Sequence, residues 1–342
     1  MTVTELKNKI KTSSFHGAYI FCGEEDYLKQ YYLGQIATEV CTDESFAIFN
    51  RISFDGEEID FAAVEEAIKS PPMFSDFKLI EWKYADLEHF SESAKEKLQT
   101  LARLTAEYTY AILVIITTPN GFNPGTSKRP SKLAARLASS FNVVNFEKST
   151  DSQLTGWLGR HFASEGIGAD ASALSALIFR SGHSMQILAG EVNKLCAYAK
   201  VNGKSFVTAD DVYLIASATL ECDAFALSGA ITDKNCTAAF TALQDLRGRR
   251  IDPGAILAML GRAFSELVTV SMLLDDGLGL SDIESALNWN PYKIKICIAA
   301  AKRWGTEKLA RASARLRELD SASKSGGISG LTPIEIFVSE YL

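Results

Sequence analysis

The first place to look for chemistry is the turn Cys22-Gly23-Glu24-Glu25-Asp26-Tyr27, between an apolar run and a helical pattern. Gly17 to Cys22 reads as a buried strand and Glu24 to Val40 as a helix, so the turn falls where nucleotide-binding folds hold phosphate. A working phosphate loop needs G-x-x-x-x-G-K-[ST]: the glycines let backbone amides wrap the phosphates and the lysine neutralises them. This turn has a single glycine, no lysine and three successive carboxylates. Carboxylates suit the positive end of a helix but repel a triphosphate. Gly23, Glu24, Glu25 and Asp26 are therefore expected to form a degenerate phosphate-loop position, filled by the protein's own acid.

Other stretches offer less. Asn120-Gly121-Phe122-Asn123-Pro124-Gly125-Thr126-Ser127-Lys128 contains the residue types of a phosphate loop, but the lysine follows Thr and Ser and no helix comes at once. A surface loop is the simpler expectation. Apolar strands that could end in the magnesium-binding acids of an ATPase end instead in Glu81-Trp82 and Thr117-Thr118-Pro119. Six cysteines stand apart with no C-x-x-C pair, as expected of buried free thiols, and the histidines at 16, 89, 161 and 183 form no ligand motif. No catalytic residue, metal or cofactor is implied.

Two features point to binding. Ser70-Pro71-Pro72-Met73-Phe74 lies between a helical pattern ending near Lys69 and a strand beginning at Lys78. The prolines end the helix and force an extended path. Met73 and Phe74, next to Pro72, then lie in a tight connection, where they either fill a pocket on a partner or tuck into their own core. The second feature is charge. Net charge is −7, yet residues 291–324 carry 9 basic and 3 acidic side chains, a local balance of +6. Lys308, Arg311 and Arg315 fall at i, i+3 and i+7 on one helix face, after Lys302 and Arg303. The patch could approach DNA or a neighbouring subunit, or could be a solvated face.

The elements that must position these residues change character along the chain. Up to about residue 147, strand and helix signals alternate: strands at 17–22, 46–54, 78–82, 110–116 and 142–146, helices at 60–69 and 92–104. The fully apolar Tyr110–Ile116 run suits the centre of a parallel sheet. Beyond it only helices are expected, beginning at Thr150 with Gln153 in a capping-box spacing. Two further helices are read at 291–304 and 306–320, and Ser321–Gly330 reads as a Ser/Gly-rich loop. No run approaches the ~18 apolar residues of a membrane span, and no secretory signal follows the polar Met1–Lys11 segment.

Several phrases, in order along the chain, resemble the bacterial DNA polymerase III clamp-loader delta subunits. They are Tyr19-Ile20-Phe21-Cys22-Gly23-Glu24-Glu25-Asp26-Tyr27-Leu28, the Pro72-Met73-Phe74 segment, Leu188–Tyr198 with Glu191, Lys194 and Leu195, Val207–Val212, Ala224–Ile231, Asp252–Leu257 and Leu319–Gly326. The resemblance implies an α/β plus all-α fold: an AAA+-like parallel-sheet domain without a working P-loop over 1–147, a helical lid over 148–218 and a helical collar over 219–342. It implies a cytoplasmic, non-hydrolysing subunit that binds and opens the sliding clamp (the beta subunit) for loading onto primed DNA, with Met73 and Phe74 as the clamp-binding pair. Its partners would be the clamp, the other loader subunits of a hetero-pentamer and primed DNA, with no membrane. DNA-directed DNA polymerase activity would belong to it only through the holoenzyme. A diverged P-loop ATPase, or a helical adaptor unrelated to replication, are the alternatives.

Overall fold

The computed structural model describes all residues except Thr42, Asp43, Glu58, Ser127, Lys128 and Asn288. The chain divides into two compact units, Met1–Ser149 and Thr150–Leu342.

The first unit contains, in order, α1 (Val3–Lys11), β1 (Gly17–Cys22), α2 (Asp26–Val40), a 3-10 turn (Glu44–Phe46), α3 (Ala47–Asn50), β2 (Arg51–Asp55), α4 (Phe61–Lys69), β3 (Lys78–Ala85), α5 (Glu92–Glu107), β4 (Ala111–Thr117), the short hairpin β5 (Gly125–Thr126) and β6 (Arg129–Pro130), α6 (Lys132–Leu137) and β7 (Asn142–Asn145). Five strands form a parallel sheet in the order β2-β3-β4-β1-β7. The all-apolar β4 sits at its centre and is buried along its whole length, because helices cover both faces. On one face Ile20, Ile80, Trp82, Leu113 and Ile115 pack with Val64 and Ile68 of α4 and Leu98 and Leu101 of α5. On the other, Tyr19, Phe21, Leu79, Ile112 and Val114 pack with Leu6 of α1 and Leu33 and Ile36 of α2. The strand period of two thus sorts adjacent apolar residues into two cores.

The second unit continues with α7 (Asp151–Ser164), β8 (Gly168–Ala169), α8 (Ala171–Ser181), α9 (Met185–Val201), β9 (Phe206–Val207), α10 (Ala209–Ile215), α11 (Leu220–Thr232), α12 (Cys236–Gly248), α13 (Pro253–Asp275), α14 (Leu280–Leu287), α15 (Pro291–Lys324) and α16 (Thr332–Tyr341). Thr150 caps α7 in the expected capping box with Gln153. Helices α7–α10 are tied to the later ones through Phe179, whose ring meets Phe225 at 5.8 Å and Tyr292 at 5.7 Å. The long apolar α13 carries Arg262 and Glu266, and it buries Ile256, Leu260, Phe264 and Leu267 in the core shared with α15 and α16. Its apolarity is that of a core helix.

Four local expectations are corrected. Residues 46–54 do not form one strand. Ala47–Asn50 closes a helical turn and the strand starts only at Arg51. Strands do not stop after β7: Gly168–Ala169 pairs in parallel with Phe206–Val207. From Gly125 the surface loop expected at 120–128 is regular, Gly125–Thr126 pairing antiparallel with Arg129–Pro130, while Ser127 and Lys128 lie outside the described residues. Ser321–Lys324 extends α15, so the Ser/Gly-rich loop is shorter than its composition suggests. The break expected near residue 305 does occur, at Gly305 with φ 69°.

Candidate interaction surface

Helix α4 ends at Lys69, with Ser70 in extended geometry at its C-cap. Lys78, at the start of β3, is buried and its Nζ reaches back to the Ser70 carbonyl at 3.3 Å and to the Ser70 hydroxyl. Burial lowers its pKa. The connection from 70 to 77 therefore has fixed ends. Between them Met73 is 41% and Phe74 84% exposed. Neither tucks into the sheet's cores. Pro72 is half-buried beside them.

This exposed pair is braced from behind. The Asn50 side chain, buried at the end of α3, donates to the Met73 carbonyl at 2.7 Å and accepts from the Met73 amide at 2.7 Å. The Phe46 ring lies 4.8 Å from the Phe74 ring. The Ser75 hydroxyl donates to the Val40 carbonyl at 2.8 Å. Phe74 itself holds φ 52°, a left-handed conformation that bulky side chains rarely adopt. Ile48 and Phe49 of α3 are also exposed. Sequence reasoning missed α3 and Asn50. Phe46 and Ile48 alternate as in a strand, and only the following Phe49 signals otherwise.

At the expected phosphate-loop position, Gly23 and the three carboxylates take different environments. Gly23 adopts φ 98°, and a Cβ there would stand 2.3 Å from the Phe146 carbonyl. The Glu25 amide donates to that same carbonyl at 3.0 Å, so the loop is laid against the end of β7. Glu24 turns outward to Lys148 at 3.1 Å, and Asp26 is largely exposed. Glu25 is buried and its pKa is raised by desolvation. The turn is held by a buried lysine. Lys29, fully buried, donates from Nζ to the carbonyls of Gly23 at 2.8 Å and Thr117 at 3.1 Å, and pairs with Asp26 at 2.7 Å. Its ammonium bridges the ends of β1 and β4. A signal was present: Lys29 lies on the same helix stripe as Leu33, Ile36 and Val40, all buried. An adjoining groove of about 400 Å³ is lined by Gly23, Glu24, Asn120, Asn145, Glu147 and Lys148. Its mixed charge gives a triphosphate little to hold. Among the described residues no group of three or more His, Cys, Asp or Glu side chains is arranged to hold a metal.

The C-terminal basic residues are largely engaged by their own chain. Arg303 pairs with Asp233, and the Lys308 ammonium lies 3.9 Å from the Trp304 ring centroid. Arg311 meets Glu307 at 3.6 Å. Arg315 forks onto Glu340 at 2.9 and 2.7 Å and also meets Glu318, which raises its already high pKa. Gly305 puts Lys302 and Arg303 on a different helical segment from the other three. Lys302 and Arg311 are the most outward of the five after these pairings. Leu309, Leu316 and Leu319 are core, as their spacing suggested.

Comparison with known proteins supplies the context. The family model described as DNA polymerase III, delta subunit, matches residues 19–147. The model for the C-terminal domain of the DNA polymerase III delta subunit matches residues 221–341. A curated relative, DNA polymerase III subunit delta of Bacillus subtilis (strain 168), is 23% identical over 350 residues, covering 99% of this chain and 97% of the relative. Among solved structures, the Bacillus subtilis DNA clamp loader delta protein superposes with a TM-score of 0.59 at 20% identity, covering 99% of both chains.

Proposed function

From the premise that this chain belongs to the DNA polymerase III delta-subunit family, a clamp-loader component, we propose that it captures the sliding clamp through Met73 and Phe74 and holds it open for loading onto primed DNA. The observation that carries this reading is the exposure of two large apolar side chains on a connection whose backbone is fixed on both sides. Rigid phenylalanine gives an anchor and methionine adapts its shape to a pocket. Pro72 directs the chain into the turn.

The same reading makes the protein a non-hydrolysing member of its assembly, with the power stroke supplied by ATP-hydrolysing neighbours in a hetero-pentamer. The missing second glycine and the carboxylates Glu24, Glu25 and Asp26 support this over a diverged P-loop ATPase. Residues 1–147 act as the clamp-binding domain, 148–218 as a lid and 219–342 as the collar that joins the ring. Lys302, Arg303, Lys308, Arg311 and Arg315 touch DNA or a neighbouring subunit, chiefly through Lys302 and Arg311. The protein works in the cytoplasm.

The test is capture of the cognate clamp by the isolated chain. Truncating an anchor pair of this kind typically costs ~2–4 kcal/mol or more. Met73→Ala with Phe74→Ala should abolish capture in surface plasmon resonance while leaving the melting temperature nearly unchanged. Wild-type capture by the double variant would move the clamp contact elsewhere and remove the reading's main support.

A further inference from the structure

The segment around Phe74 contains no glycine, yet Phe74 holds a conformation that L side chains rarely adopt. That geometry is held from both sides of Phe74, by the Ser75 hydroxyl on the Val40 carbonyl and by Asn50 on Met73. The residue before it, Met73, is held by Asn50. The Asn50 amide uses both ends on one residue, donating to the Met73 carbonyl and accepting from the Met73 amide, each at 2.7 Å. That double bond pattern is what a neighbouring strand would supply, delivered here by one side chain 23 residues away in sequence. Asn50 is 2% exposed, so it cannot itself reach a partner. The Phe46 ring completes the bracket against Phe74.

Backbone strain at an exposed, apolar position is held only where surrounding structure over-determines it, and such sites cluster at ligand clamps. An exposed segment fixed in its bound shape also avoids the entropy loss of ordering on association. We propose that Asn50 is a positioning residue for partner binding: it holds Met73 and Phe74 in the geometry the clamp recognises and contributes affinity only through them. This rests on the reading that Met73 and Phe74 contact the clamp.

The experiment measures clamp binding by surface plasmon resonance on the full chain, with melting temperature in parallel. The variants are Asn50→Ala, Asn50→Asp, Phe74→Ala, the Asn50→Ala/Phe74→Ala pair and Met73→Ala/Phe74→Ala. Asn50→Ala should weaken binding roughly tenfold, mainly through a slower on-rate as the segment searches for its bound shape. Its effect should shrink when Phe74 is already alanine, because Asn50 acts partly through that ring. A purely structural role would instead give an equal loss in both backgrounds, and would overturn the proposal. So would a folded Asn50→Ala that binds with wild-type affinity. If Asn50→Ala fails to fold, Asn50→Asp decides: it keeps the side chain's size and the acceptor for the Met73 amide but removes the donor to the Met73 carbonyl, and full affinity in that variant overturns the proposal. Wild-type binding by Met73→Ala/Phe74→Ala would sink the clamp reading itself, an outcome distinct from failure of the Asn50 variants alone.

Discussion

Single residues carry the sharpest difference between pattern and structure. The acidic run Glu24-Glu25-Asp26 was legible in the sequence, but the buried lysine that holds the turn was not. Lys29 reaches the ends of two strands that are distant in sequence, and only the fold brings the Gly23 and Thr117 carbonyls together. Its place on a buried stripe is the clue that local pattern offers. Replacing Lys29 by methionine keeps the bulk and removes the donor, stranding two carbonyls in a dry site. The expected loss is ~2–3 kcal/mol, read as a shift in the urea midpoint. Calorimetric titration of the wild-type chain with magnesium ATP should show no binding heat. Micromolar affinity, or a Lys29→Met variant of wild-type stability, would contradict the account. Asn50 was illegible for a similar reason: its partner Met73 is 23 positions away, and no local spacing encodes the meeting.

Elements were legible in proportion to how much of their fate is local. β4 reads directly because a fully apolar run has only one kind of home, a sheet covered on both faces. The cap at Thr150 reads directly because a cap is settled within three residues. The one-turn α3 did not, since four residues carry too little period to separate helix from strand. Tertiary pairs between elements are invisible to pattern altogether. His183, in the connection before α9, meets Asp151 at the start of α7 at 2.6 Å, and Asn290 donates to the same carboxylate at 3.1 Å. The hydrogen bond to Asp151 raises the His183 pKa, while the bond from His183 holds Asp151 low. Sign follows from linkage. The histidine's contribution is complete below its unfolded value of about 6.5 and fades as pH rises through its raised folded value. The carboxylate's is present above its unfolded value and is lost as pH falls through its lowered folded one. Both groups are partly exposed, so solvent screening keeps the effect small. His183→Gln should flatten the fall in stability as pH rises above the unfolded value of about 6.5, measured as urea midpoints across a pH series. An unchanged slope would show that the pair is not coupled to folding.

For the whole molecule, order along the chain was more informative than any one motif: weak phrases in sequence from Tyr19 to Gly326 indicated the family that models matching residues 19–147 and 221–341 then identified. Charge was less reliable at this scale. The surplus near the C-terminus counts side chains without their partners, and Asp233 and Glu340, which neutralise Arg303 and Arg315, lie outside the segment counted. Reversing Arg315 would break a bidentate pair and confuse stability with binding. Lys302→Glu with Arg311→Glu is the cleaner probe. It should weaken binding of primed DNA by the reconstituted loader, or assembly of the ring, and a DNA contact should also make the dependence on salt shallower. Unchanged affinity, salt slope and assembly would mark the patch as a solvated face. The buried lysine has one more consequence at this scale. A protein that binds a diffusible ligand only when folded gains stability as that ligand's concentration rises. Lys29 is tethered by its own backbone, so the Gly23 and Thr117 carbonyls are satisfied at every solution composition, with no diffusible cation required.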